Sequence, residues 1–125
     1  MAGHYAFKAL FVAAALSFAA SPLAAADIKT VGSGDAMNFD ASGFTPEMKA
    51  KFEIMKVKCV KCHTMERTIV AIKTGVAPIS GQPFDRSATK AYGIKMLRKP
   101  DSDMSKDQVK VVVELMNYLV DEAAR

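Results

Sequence analysis

The chain has 125 residues, half of them hydrophobic, with 17 lysines and arginines, 13 aspartates and glutamates, two cysteines and no tryptophan. This length is that of one domain. The modest net charge of +4 fits an acidic protein partner better than nucleic acid, whose binding usually needs a denser basic patch.

Residues 1–26 have the pattern of a secretory signal peptide. Lys8 precedes an apolar stretch over residues 9–20, and a run of small residues ends at Ala26. The alternative is an uncleaved anchor, although the apolar stretch is short and rich in alanine for a permanent membrane span. Cleavage after Ala26 would leave 99 residues, with 16 basic and 13 acidic side chains, in the periplasm or another exported location.

Residues 27–43 are rich in Gly, Ser, Asp and Asn and show no hydrophobic periodicity. We therefore predict a flexible lead-in, followed by one domain over residues 44–125. No stable membrane insertion is expected after signal cleavage.

The first helix is predicted to begin at Thr45, an N-cap residue followed by Pro46 at the first helical position. Apolar residues recur at helical spacing from there to Cys59, and they are Met48, Phe52 and Met55. Five lysines occupy much of the remaining surface, namely Lys49, Lys51, Lys56, Lys58 and Lys61. They form either a docking face for redox protein partners or an ordinary solvated face.

The motif Cys59-Val60-Lys61-Cys62-His63 stands at the end of this helix. Its spacing lets two thiols reach the two vinyl groups of one haem, while the histidine lies under the porphyrin plane and can ligate iron. The motif therefore predicts one covalently attached haem c. Covalent attachment of haem takes place outside the cytoplasm, in agreement with the predicted export.

Three other interpretations of the cysteine pair remain open. A dithiol redox site is expected in a βαβ context, whereas the flanking sequence has a helical pattern. A zinc site would need a carboxylate as its fourth ligand, because residues 27–125 contain no further Cys or His. A disulfide between Cys59 and Cys62 would close a very small loop and leave His63 without a role.

The stretch after His63 is predicted to form a short helix or turn that ends at Gly75. Arg67 is a candidate partner for a haem propionate. Residues 76–84 contain two prolines and a glycine and are predicted to form a loop across one face of the haem. Pro78 in this loop can help to orient His63, because such a loop can offer a carbonyl to the free imidazole N–H.

Two further helices complete the predicted domain. Asp85 can cap a helix over Arg86–Leu97. Ser105 and Gln108 form a capping box for the last helix, and Met104 stands where a hydrophobic staple would place it. The predicted apolar stripe of that helix comprises Val109, Val112, Val113, Met116 and Leu119, widened by Tyr118 and Val120.

The chain resembles the small monohaem class I cytochromes c. The resemblance covers about residues 44–120 and consists of Phe52 seven positions before Cys59, the attachment motif, a methionine after Gly93, and the last helix. It implies an all-α fold of three to four helices around one haem, with His63 and a methionine sulfur as axial ligands. The stretch between His63 and this methionine is shorter than is usual in that family.

The methionine ligand is Met96 or Met104. Met104 has a structural role as the staple residue, whereas Met96 follows a segment that contains glycine, and we favour Met96. In favour of Met104, more residues separate it from His63, which suits a chain that must pass around the haem ring. The other methionines are interpreted as core residues, or as too near His63 to reach the opposite face of the haem.

The predicted function is single-electron transfer between redox partners, without catalysis. One alternative is a haem subunit of a larger oxidoreductase complex. A second alternative is a ligand-binding or peroxidatic haem protein with an open sixth position, although no distal histidine is apparent in the sequence.

Overall fold

The computed structural model describes residues 28–125, so the predicted signal peptide over residues 1–26 lies outside the described residues. Four α-helices make up most of this part of the chain: α1 (Pro46–Lys58), α2 (Glu66–Thr74), α3 (Arg86–Leu97) and α4 (Lys106–Ala123). The mainly helical part of the predicted fold class is therefore confirmed. Between residues 28 and 125, no helix combines the length and the hydropathy that a membrane span requires.

The segment before α1 differs from the flexible lead-in that its composition predicts. It contains a two-stranded antiparallel sheet of β1 (Thr30–Val31) and β2 (Asn38–Phe39). Phe39 is 2% exposed, and its ring contacts that of Phe52 edge-on, with the ring centroids 6.1 Å apart. Two buried apolar side chains, Ile28 and Phe39, therefore attach this polar segment to the core, an effect that average composition does not reveal.

Helix ends follow the local signals in the sequence. The Thr45 hydroxyl accepts a hydrogen bond from the Met48 N–H at 3.3 Å, and the Asp85 carboxylate accepts bonds from the first turn of α3. Ser105 and Gln108 form both hydrogen bonds of a capping box at α4. Gly75 ends α2 with a φ of 69°, a left-handed conformation that glycine adopts without a steric penalty.

Helix α4 forms the centre of the domain and packs against α1, α2 and α3. Its buried residues are Val109, Val112, Leu115, Met116 and Leu119. Leu115 is 0% exposed although the predicted stripe omits it. Gly93 lets α3 approach α4 closely, since a Cβ at this position would lie 2.6 Å from Val113 Cγ2. Packing against α4 thus holds α1, α2 and α3 in place around the space beside the cysteine motif.

Candidate functional site

A cavity of about 550 Å³ lies beside the cysteine motif. Its size is within the range of roughly 300–1,000 Å³ that is usual for small-molecule and cofactor sites. Cys59, Cys62, His63 and Met96 all line it. Helices α1, α3 and α4 and the loop over residues 76–84 contribute further walls, so the structure brings every predicted site residue to one place.

The two cysteines differ in environment. A 3₁₀ turn over Cys59–Lys61 extends α1, leaving Cys59 partly buried and Cys62 exposed, and both are free thiols. Burial raises the pKa of the Cys59 thiol to about 11. Redox-active cysteines instead have a lowered pKa, often at the N-terminus of a helix, whereas Cys59 follows the C-terminus of α1. The geometry therefore disfavours the dithiol redox interpretation.

His63 is partly buried, and its ring is held by a hydrogen bond of 3.0 Å between Nδ1 and the Thr64 carbonyl oxygen. A carbonyl oxygen only accepts hydrogen bonds, so Nδ1 carries the proton and Nε2 of the neutral ring keeps a free lone pair for a metal ion. Pro78 lines the same cavity. The carbonyl that orients His63 is that of Thr64, however, because the adjacent residue reaches the ring without any loop contact.

The zinc interpretation finds no support in the described part of the chain. Within residues 28–125, no three side chains of the types His, Cys, Asp or Glu converge as a metal site. A structural zinc ion requires four such ligands in tetrahedral geometry. Cys59, Cys62 and His63 all line the large cavity, but in the described structure they do not converge as a metal site.

Four methionines line the cavity, and they divide into two pairs. Met55 and Met116 are 0% and 6% exposed and belong to the hydrophobic core, as predicted. Met96 on α3 and Met104 before α4 are only partly buried. Met104 also packs against the core.

The lining of the cavity carries positive charge. Four basic residues contribute to it, namely Lys58, Arg67, Lys95 and Lys99. No aspartate or glutamate is among the described residues that line it. Lys58 is paired with Asp103, so the other three cations are the ones that can attract anionic groups, whether on a cofactor or on an approaching protein.

The lysines of the first helix form ion pairs within the domain. Lys51 pairs with Glu47 at 2.8 Å and with Glu114 at 2.7 Å, and Lys56 pairs with Glu53 at 2.8 Å. Lys58 and Lys61 both contact Asp103. Much of the predicted lysine-rich face is therefore neutralised locally, because acidic residues of α1, α4 and the α3–α4 loop lie against it.

Asp103 is a residue that the sequence did not single out. Hydrogen bonds from Lys61 and Lys58 lower the pKa of its carboxyl group from 3.8 to about 2. Asp101, Ser102 and Asp103 indicate a turn after Pro100, since these residue types favour turns, but this composition does not identify an ion-pair partner. Only the folded chain brings residue 103 to the cysteine motif.

The cavity fits the group that the motif predicts. It offers two thiols, one imidazole with a free Nε2, and thioether sulfurs from other elements of the fold. Its apolar wall includes Ala71, Phe84 and Val112, and its cations suit two carboxylate substituents. Haem combines these requirements, because it has a large apolar ring, two propionates and an iron that accepts nitrogen and sulfur ligands.

Comparisons of the chain with protein families, with curated proteins and with solved structures find no match. The function proposed below therefore rests on the residues of the chain and on the geometry of the cavity.

Proposed function

We propose that this protein is an exported electron carrier with one haem c, attached through Cys59 and Cys62 and ligated by His63. The observation that carries the proposal is that both thiols, His63 and Met96 line one cavity of about 550 Å³. Five consecutive residues supply three of these groups, and α3 supplies the fourth.

Haem supplies an iron centre that gains and loses one electron. The chain supplies the environment: Thr64 fixes the ring of His63 with Nε2 free, and buried apolar residues of α1, α2 and α4 exclude water. Met96 is the proposed sixth ligand. Met96 and Met104 both line the cavity, but Met104 also packs against the core, whereas Met96 is not among the described residues that do so. A thioether ligand favours ferrous iron and raises the reduction potential relative to a second imidazole.

The proposed partners are acidic redox proteins. The ion pairs along α1 make its lysines a poor docking face, and the charges on the cavity lining are better placed. Lys95 and Lys99 are exposed and lie beside the cavity, where a docked partner would shorten the path for the electron. Charge attraction of this kind accelerates encounter more than it tightens binding.

The test is an intact-mass measurement on the exported protein, produced together with the haem-attachment machinery. The mass should exceed that of the cleaved polypeptide by one haem, and a Cys59→Ser/Cys62→Ser variant should lose this increment. A wild-type mass equal to that of the bare chain contradicts the proposal.

The visible spectrum of the oxidised protein tests the sixth ligand and the alternative functions. The weak long-wavelength band of methionine-to-iron ligation indicates a closed electron carrier. Its absence, together with ready binding of cyanide or imidazole, favours a ligand-binding or peroxidatic protein. Purification in a stable complex with a larger oxidoreductase favours the subunit alternative.

A further inference from the structure

Residues 98–104, which we call the strap, connect α3 to the N-cap of α4 and form one wall of the cavity. Asp101 and Asp103 within it have φ angles of 61° and 49°. Non-glycine residues populate this left-handed region sparsely, and they keep it where surrounding contacts hold the backbone. The strap therefore contains two residues in a sparsely populated backbone conformation.

Asp103 provides the contacts between the strap and the cysteine motif. Its Oδ2 lies 2.9 Å from Lys58 Nζ and 2.5 Å from Lys61 Nζ. Lys58 Nζ also donates a hydrogen bond of 2.7 Å to the Asp103 carbonyl oxygen. Both the side chain and the backbone of Asp103 are thus held by the residues that immediately precede Cys59 and Cys62.

The other hydrogen bonds of the strap remain local. The Lys99 N–H bonds to the Met96 carbonyl, and the Ser102 N–H bonds to the Lys99 carbonyl. Among the described residues, Asp101 has no ion-pair partner, although its backbone conformation matches that of Asp103. The pairing with two lysines therefore distinguishes Asp103 from its near neighbour.

A single exposed ion pair contributes little stability. Here three contacts converge on Asp103. The Lys58 side chain is only 18% exposed, so it is already restricted and loses less conformational entropy when it forms the ion pair. The contacts also join two segments that are 45 residues apart for Lys58 and 42 residues apart for Lys61. Their loss would free the strap as a unit while α3 and α4 stay in place.

We propose that Asp103 is a positioning residue that holds the strap against the cysteine motif and thereby limits the entry of small external ligands into the cavity. The effect on ligand entry rests on the proposed function, because it is measured as imidazole binding to the haem iron. The effect on the strap is measured by hydrogen exchange and does not require haem.

The experiment compares three variants of the haem-loaded protein. Asp103→Asn removes the charge and keeps a residue that tolerates positive φ, and Lys58→Met/Lys61→Met removes the partners. Asp101→Asn is the matched control, since it changes an unpaired aspartate of similar backbone conformation in the same strap. Amide hydrogen exchange over residues 98–104 and imidazole binding to the oxidised protein are measured for each.

Asp103→Asn and the double lysine variant should both accelerate exchange in the strap, and imidazole association, by about tenfold, which two ion pairs near the upper end of the surface range allow. Asp101→Asn should change neither. Adding Asp103→Asn to the double lysine variant should change nothing further, because that variant already lacks both lysines that Asp103 contacts.

Exchange and imidazole binding that are the same in Asp103→Asn as in Asp101→Asn would overturn the proposal, even if the melting temperature fell. That result differs from a failure of the proposed function, which appears as the mass of the bare chain in every variant. In that case the exchange comparison by itself decides whether Asp103 holds the strap.

Discussion

The two sides of the cavity are built in different ways. On one side, Cys59, Cys62 and His63 lie within five residues, so chain connectivity alone keeps them together. On the other side, Met96 stands on α3, which packs against α4, and Met104 stands on the strap, which contacts Lys58 and Lys61 through Asp103. The chain itself keeps the three motif residues close together. The positions of Met96 and Met104 depend instead on tertiary contacts.

The largest expected effect comes from the first side. With haem bound as proposed, His63→Ala should remove an iron ligand, and the loss should be global because ligation would be coupled to folding. The stability should fall by well over the typical value of about 1 kcal/mol for a substitution. Visible absorption and thermal unfolding of the haem-loaded protein measure the two losses.

Val60→Ala is the matched control, since Val60 belongs to the same motif and is 44% exposed. It should leave spectrum and stability nearly unchanged. A His63→Ala variant with the wild-type spectrum and unfolding midpoint would remove His63 from the site.

The second side is tested by its two methionines. Met96→Ala should admit water or an added ligand to the iron and lower the reduction potential by on the order of 0.1 V, within the roughly 0.8 V that axial ligands span. Met104→Ala should keep the spectrum and cost about 1 kcal/mol of packing. Redox titration and the long-wavelength band distinguish the two variants.

Met48→Ala serves as the control, because Met48 is partly buried on α1 and does not line the cavity. If Met104 controls the spectrum and Met96 affects only stability, the strap provides the ligand. The longer chain segment between His63 and Met104 would then matter more than the structural role predicted for Met104 before α4.

Gly93→Ala tests whether the seam between α3 and α4 positions the second side. The new Cβ would lie 2.6 Å from Val113 Cγ2 and 3.1 Å from Val109 Cγ1. Such overpacking should cost about 1–3 kcal/mol and shift α3, which carries Met96 one turn later. Thermal unfolding and the long-wavelength band report the two consequences.

The double variant Gly93→Ala/Val113→Ala should recover part of this loss, since it removes the nearer obstacle. Gly43→Ala is the control, because a Cβ there meets nothing within 4 Å. Equal stability of Gly93→Ala and Gly43→Ala would mean that the helix seam adjusts freely.

The smallest expected effect concerns docking and leaves folding intact. Lys95→Glu, beside the cavity, should slow bimolecular electron transfer with an acidic partner by about two- to tenfold at low salt. Lys49→Glu on α1, which does not line the cavity, is the charge-matched control and should have a smaller effect. Stopped-flow rates at increasing ionic strength provide the measurement.

Added salt should reduce the difference between these variants, because the Debye length is only about 8–10 Å at ordinary ionic strength. Rates that do not depend on salt, or a larger effect of Lys49→Glu, would argue against docking at the cavity.

Helix boundaries proved to be readable from local signals. Arg86–Leu97 is the observed range of α3, and the capping box at Ser105 forms both of its hydrogen bonds. These features depend on residues within four positions of one another, so a linear pattern contains the relevant information. The folding of residues 28–43 onto the core was not predictable in this way, because it depends on how Phe39 meets Phe52.

The candidate site shows the same division. The sequence by itself determined the cysteine motif, the histidine after it and a short set of candidate methionines, since spacing and residue chemistry are properties of the linear chain. Only the tertiary structure decided that Met96 and Met104 line the same cavity as the motif, that the α1 lysines are largely paired, and that Asp103 reaches Lys58 and Lys61. Contacts between residues more than 40 positions apart arise from the packing of whole helices, which residue spacing does not encode.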